Sequence, residues 1–170
     1  MIRLTSIICL TAILAIAAYS QSSLKVGSAA PVFSGTSLEG TTYDLSELRG
    51  NVVVLTFWST KCIICQQELP KLNPFTDRYS TEKVVFLALS MENENKIAGF
   101  LQRNPFSFEI MPNSFGTVLS YADRDKNGNL DMGFPSFFVI DQNGLIQHRS
   151  SGYDKTSALD AAINRLVARR

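Results

Sequence analysis

Cys62 and Cys65 flank the dipeptide Ile63-Ile64 and follow the apolar run Val52-Val53-Val54-Leu55 and the segment Phe57-Trp58-Ser59-Thr60-Lys61. Two thiols at this spacing can cycle between dithiol and disulfide. The first sulfur, at the start of a helix, sits over unpaired backbone N–H groups and the positive end of the helix dipole, which favour its thiolate. The second lies one turn further on, within reach of a mixed disulfide formed at the first. Cys62 is therefore the expected nucleophile and Cys65 the resolving thiol. Lys61, beside Cys62, is either a solvated turn residue or an ammonium that lowers the thiol pKa. Glu68, three residues past Cys65, falls on the same side of the helix and can approach the dithiol as a proton acceptor, or is an exposed helix residue.

Other chemistries fit the same residues less well. Zinc needs four ligands in a structural site, or three and a water in a catalytic one, and the only histidine is the distant His148. No metal and no organic cofactor is expected. A purely stabilising disulfide across two residues constrains the unfolded chain very little. The stretch Asp123-Arg124-Asp125-Lys126-Asn127-Gly128-Asn129-Leu130-Asp131 resembles the first nine positions of a calcium-binding EF-hand loop. Its twelfth position, where a bidentate Glu belongs, is Phe134, so a polar surface loop turning at Asn127-Gly128 is expected instead.

The elements that must position the cysteines can be read from apolar periodicity. Val52–Trp58 and Val84–Leu89 are continuous apolar runs of the kind buried on both faces of a sheet. A helix follows the cysteines to Tyr79, with Leu69, Leu72 and Phe75 inward and a kink expected at Pro70 and Pro74. Pro31–Asp44 reads as a hairpin turning at Glu39-Gly40, and Leu45–Leu48 as one helical turn closed by Gly50. Glu94–Arg103 and Ser114–Tyr121 read as helices, and Phe108–Met111 as a short strand. Phe134-Pro135-Ser136 leads into the strand Phe137–Ile140, which Asp141-Gln142-Asn143-Gly144 turns back into Leu145–Ser150. A last helix, Asp154–Val167, is expected to be capped by Asp154 and to bury Leu159, Ala162, Ile163 and Leu166.

The N-terminus reads as a signal peptide over residues 1–20. Arg3 gives a positive start, Ile7–Ala18 is a short apolar stretch, and Ala18-Tyr19-Ser20 offers small residues to a peptidase. The apolar stretch falls short of the ~20 residues that span a bilayer, so an uncleaved anchor is the weaker reading. Export to a periplasm or cell envelope follows. Cleavage removes Cys9 and Arg3, leaving residues 21–170 as one domain with only Cys62 and Cys65 and a balanced charge. Nothing basic enough for nucleic acid remains, and a monomer is expected.

Strands alternating with helices, a closing hairpin and helix, and Cys-x-x-Cys after the first buried strand resemble the α/β thioredoxin fold. That fold is a central mixed sheet flanked by helices, here with an N-terminal β-hairpin extension. More specifically, the chain resembles the TlpA/ResA-like exported thiol-disulfide oxidoreductases. Val26-Gly27-Ser28-Ala29-Ala30-Pro31-Val32-Phe33 resembles their opening, and Leu45–Val54 their lead into the first buried strand. Cys62–Pro70 resembles C-x-x-C-x-x-E-x-P, and Phe134–Asp141 their cis-proline segment.

The resemblance implies a cis bond before Pro135 and a substrate platform of Phe134 and Pro135, with Lys61 and Trp58 beside it, Trp58 mainly as packing. It also implies Glu68 as proton acceptor, because Thr56 stands where reducing thioredoxins carry a buried aspartate. The implied substrates are disulfides of envelope proteins such as apocytochrome c, reduced by a dithiol that a membrane thiol reductase regenerates. The chain departs from the family in having Lys61 where a Trp commonly precedes the first cysteine, in Ile63-Ile64, and in a longer, more polar Ser120–Met132. Two further readings stand beside this one. A thiol peroxidase of the peroxiredoxin type is disfavoured by Leu55 where its P-x-x-x-[TS]-x-x-C loop needs proline. A redox-inactive binding module is permitted by the bulky dipeptide.

Overall fold

In the computed structural model, residues 24–168 are described; residues 1–20, read above as a signal peptide, lie outside them. Three strands pair in parallel from the centre of the sheet to one edge: β3 (Val52–Phe57), β4 (Val84–Leu89) and β5 (Glu109–Met111). Antiparallel to β3 runs β8 (Ser136–Ile140), which carries the antiparallel β9 (Ile146–Ser151) at the edge. The strand order is β5-β4-β3-β8-β9. This is the mixed sheet of the thioredoxin fold. The hairpin extension is present too, as β1 (Ser34–Thr36) and β2 (Thr42–Asp44), and its turn docks on the sheet edge through the Leu38 N–H donating to the Ile110 carbonyl at 2.9 Å.

All six residues of β3 are buried, because the sheet is covered on both faces. Strand alternation sends Val52, Val54 and Trp58 to one face, where they meet Leu69, Leu72 and Phe75 after the cysteines and Leu159, Ala162, Ile163 and Leu166 of the last helix, α5 (Thr156–Val167). Val53, Leu55 and Phe57 go to the other face, against Val118 and Tyr121 of α4 (Phe115–Tyr121). At about 1.5–3 kcal/mol for each large side chain taken out of water, these two layers hold β3 rigid beneath the cysteines.

The segment after the cysteines breaks where prolines forbid a continuous helix. α1 (Ile63–Glu68) gives way to a 3₁₀ turn, Leu69–Leu72, and then α2 (Asn73–Arg78), with Pro70 and Pro74 each in the first turn of the piece they open. There a missing N–H costs least. Two expectations need correction. Leu45–Gly50 is a run of turns rather than a helical turn, closed by Gly50 at φ 85°. Asp154 does not cap α5, because it adopts φ 55° and the cap position falls on Lys155, whose side chain makes no capping bond. The helix between β4 and β5, α3 (Glu94–Leu101), is capped instead by the Asn93 side chain, which accepts the Lys96 N–H at 3.1 Å.

Between α4 and β8 lies an inserted hairpin, β6 (Asp123–Arg124) and β7 (Leu130–Asp131). Its turn is organised by Asp125 Oδ1, which accepts the N–H groups of Asn127 at 2.8 Å and Asn129 at 2.9 Å. Asp123 is engaged by Arg149 of β9. Carboxylates used this way are structural, in keeping with the polar surface reading of the insert.

Candidate redox site

β3 delivers the chain to the edge of the sheet, and Ser59–Lys61 turn it into α1. Cys62 closes the turn through its own N–H, which donates to the Ser59 carbonyl at 3.1 Å. It then serves as the N-cap of α1, at φ −83° and ψ 106°. A capping sulfur replaces the usual oxygen: Cys62 Sγ accepts the Cys65 N–H at 3.0 Å. The cysteines form a disulfide with Cα atoms 5.2 Å apart. Cys62 keeps part of its surface in solvent, whereas Cys65 is 0% exposed. When the bond is reduced, the accessible sulfur is the one with a backbone donor aimed at it, the arrangement that favours a thiolate there.

The loop before β8 comes up against the same sulfur. Phe134–Pro135 is a cis peptide bond, and the Phe134 carbonyl oxygen lies 3.5 Å from Cys62 Sγ. Phe134 is half-buried and Pro135 buried. The Pro135 carbonyl accepts the Gly152 N–H at 2.8 Å, which ties the loop to the turn between β9 and α5.

That turn also reaches Glu68. The carboxylate is 2% exposed, with Lys71 Nζ 2.7 Å from Oε1 and the Asp154 N–H donating to Oε2 at 3.1 Å. Neither oxygen hydrogen-bonds a cysteine sulfur directly. Glu68 is thus a buried carboxylate, partnered at both oxygens, one turn beyond Cys65.

Trp58 needs correction as a substrate contact. It is 0% exposed, packed against Phe100 and Phe106 with ring centroids 5.4 and 6.3 Å apart, and so backs the site from within the core. Lys61 is exposed, and its N–H donates to Ser59 Oγ at 3.2 Å. Thr56 is wholly buried on the Trp58 side of β3, and its hydroxyl has no hydrogen-bond partner. The dipeptide between the cysteines faces outward, with Ile63 72% and Ile64 38% exposed.

Two features escape a reading of sequence. Lys71 stands three residues after Glu68, a spacing that could have flagged the ion pair. Glu92, in the loop between β4 and α3, accepts from Thr60 in the active-site turn, and nothing local announces a contact across 32 positions. An open groove of about 590 Å³ runs beside this contact, lined by Thr60, Gln66, Lys96, Phe100 and Arg103 among others.

Comparison with known proteins agrees with this geometry. The Redoxin family model matches residues 25–163. A protein named thiol-disulfide oxidoreductase ResA from Geobacillus kaustophilus is 32% identical over 133 residues, 78% of this chain and 72% of that protein. A protein of the same name from Bacillus cereus is 26% identical over 146 residues, 85% of this chain and 80% of its own. A thiol:disulfide interchange protein of the thioredoxin family from Chlorobium tepidum TLS superposes with a TM-score of 0.69 over 84% of this chain and 98% of its own. At 19% identity that likeness speaks for the fold alone.

Proposed function

This chain belongs to the Redoxin family and is a thiol-disulfide oxidoreductase, and on that premise we propose that it reduces disulfides of exported proteins in the cell envelope. The observation that carries the reading is the pairing of a part-exposed Cys62 sulfur, held against the Phe134 carbonyl, with a Cys65 buried behind it. In this scheme the Cys62 thiolate attacks one sulfur of a substrate disulfide, and the other leaves as a thiolate. Cys65 then gives its proton to Glu68 and attacks Cys62 Sγ. The second substrate thiolate departs and is protonated, and Cys62–Cys65 is left oxidised. Phe134 and the Pro135 loop, with Lys61 at the rim, are the surfaces that receive an extended substrate segment.

The reducing direction has a physical basis. A strongly oxidising dithiol is one whose reduced form is strongly stabilised. Here one backbone N–H reaches the Cys62 sulfur, and two carboxylates, Glu68 and Glu92, flank α1 and the turn before it. Each carboxylate is paired with a lysine, Lys71 or Lys96, so the single backbone donor is the stabilisation of the thiolate that these groups leave in place.

On the same reading residues 1–20 are a cleaved export signal and 21–170 the mature domain. The substrates are of the apocytochrome c kind, and a membrane thiol reductase supplies the two electrons that reset the dithiol. Among the described residues no helix is long and apolar enough to cross a membrane.

Insulin reduction with dithiothreitol as donor tests the activity, and a Cys65→Ser variant tests the order of events. The variant should accumulate a substrate mixed disulfide on Cys62, visible on a non-reducing gel, while Cys62→Ser accumulates none. Trapping by Cys62→Ser alone would reverse the roles of the two thiols.

A further inference from the structure

Thr60, two residues before the attacking cysteine, is held by both oxygens of one carboxylate. Glu92 Oε2 accepts the Thr60 N–H at 2.6 Å, and Oε1 accepts the Thr60 hydroxyl at 2.9 Å. Lys96 of α3 pairs with the same carboxylate, which is 12% exposed. Glu92 is fixed in turn: its N–H donates to Ser90 Oγ at 3.2 Å, and its carbonyl accepts the Asn113 N–H at 2.9 Å. On the far side, the Thr60 carbonyl accepts from Gln66 Nε2, beside Cys65, at 3.0 Å. A continuous chain Lys96–Glu92–Thr60–Gln66 therefore joins α3 to the active-site turn and to α1.

We propose that Glu92 is a positioning residue for thiol-disulfide exchange, a latch that acts through Thr60 to keep Cys62 in its seat at the start of α1. The proposal rests on the reading of Cys62 as the attacking thiol. Ser59, Thr60 and Lys61 are polar and at least partly exposed, so no apolar packing fixes them. Apart from the latch, the turn is held by the Gln66 side chain on the Thr60 carbonyl, the Cys62 N–H on the Ser59 carbonyl and the Lys61 N–H on Ser59 Oγ, none of which ties it to the neighbouring α3. The capping geometry that aims the Cys65 N–H at the Cys62 sulfur depends on the angle at which this turn enters the helix. Burial alone would raise the Glu92 pKa, but the Lys96 ammonium and the two Thr60 donors outweigh it and hold the group below the usual carboxylate range. Lys96 also offsets the charge that Glu92 would otherwise present to a thiolate. The latch thus works by geometry rather than by charge.

The test compares Glu92→Ala, Glu92→Gln and Thr60→Val with the wild type, reading the rate at which iodoacetamide alkylates reduced Cys62 at pH 7, with thermal midpoints alongside. Glu92→Ala should slow alkylation by about three- to tenfold, a modest misplacement of a reacting group. Thr60→Val, which leaves both charges in place, should slow it in the same direction. Glu92→Gln retains an acceptor and should recover most of the rate. Alkylation within twofold of wild type in both Glu92→Ala and Thr60→Val would overturn the latch. So would faster alkylation in both Glu92 variants, because the carboxylate would then act as a charge. Should Glu92→Ala fail to fold, Thr60→Val decides alone. A wild type that cannot reduce insulin overturns the proposed function; an active wild type matched by its variants overturns the latch only.

Discussion

The backbone N–H of Asp154 donates to Glu68 Oε2 across 3.1 Å, joining the turn before α5 to the helix that carries both cysteines. This bond, with the Lys71 ion pair, holds a carboxylate almost out of solvent one turn past Cys65. Its consequence is kinetic. Glu68→Gln should leave the first attack by Cys62 nearly normal and slow release of the mixed disulfide by roughly one to two orders of magnitude, the lower range for a positioned acid–base group. Single-turnover release followed by quenched mass spectrometry gives the rate. Unchanged release would reduce Glu68 to a structural anchor between α1 and the Asp154 turn.

Thr56 gives a complementary prediction. Its buried hydroxyl has no partner in the fold, so replacement by an apolar isostere removes a desolvation cost rather than a bond. Thr56→Val should be neutral, or stabilise the protein by up to about 1 kcal/mol in denaturant titration. It should also leave mixed-disulfide release unchanged. Slower release would assign proton handling to position 56.

Trp58 separates packing from contact. Trp58→Ala should cost about 3–5 kcal/mol, as large truncations in a core do. Trp58→Phe should keep insulin-reduction kcat/KM within about threefold, since truncating a side chain that never meets substrate removes no binding contact. A selective rise in KM with stability preserved would restore Trp58 to the substrate surface.

His148 predicts a pH dependence. Burial pushes the imidazole below its ordinary 6.5, and the nearby Arg165 guanidinium adds to the effect. The folded state therefore takes up the proton less readily than the unfolded chain. The stability tied to a neutral His148 is present in full above the unfolded value, and is lost as pH falls from there through the folded one. It is the only histidine in the sequence, so the decline as pH falls through and below its ordinary 6.5 should flatten in His148→Asn. Parallel wild-type and variant melting curves across that range would assign the decline to other groups.

What was legible in the sequence lies within contiguous motifs. Val52–Phe57 announces a buried strand by its unbroken apolar run, Cys62 a helix start, and Pro70 and Pro74 the breaks that follow. Phe134-Pro135 announces the loop that meets the sulfur. Contacts between distant segments left no such trace. Thr60 and Glu92 are 32 positions apart and Glu68 and Asp154 are 86 apart, so only the folded sheet brings them together. Asp154 shows how a sound local rule fails: an Asp before a helix suggests a side-chain cap, but at φ 55° the residue gives its backbone N–H to Glu68 instead. Trp58 closes the apolar run that begins at Val52, and strand alternation carries it inward with Val52 and Val54, so its packing was legible while its place beside the substrate platform was not kept.

The reduction potential of the Cys62–Cys65 pair, measured by equilibration with glutathione or dithiothreitol buffers, tests the central claim most directly. A dithiol that works as a reductant, with one backbone donor on its thiolate, should lie below about −200 mV, toward the thioredoxin range near −270 mV. A value close to about −120 mV, that of a strongly oxidising dithiol, would contradict the reducing direction.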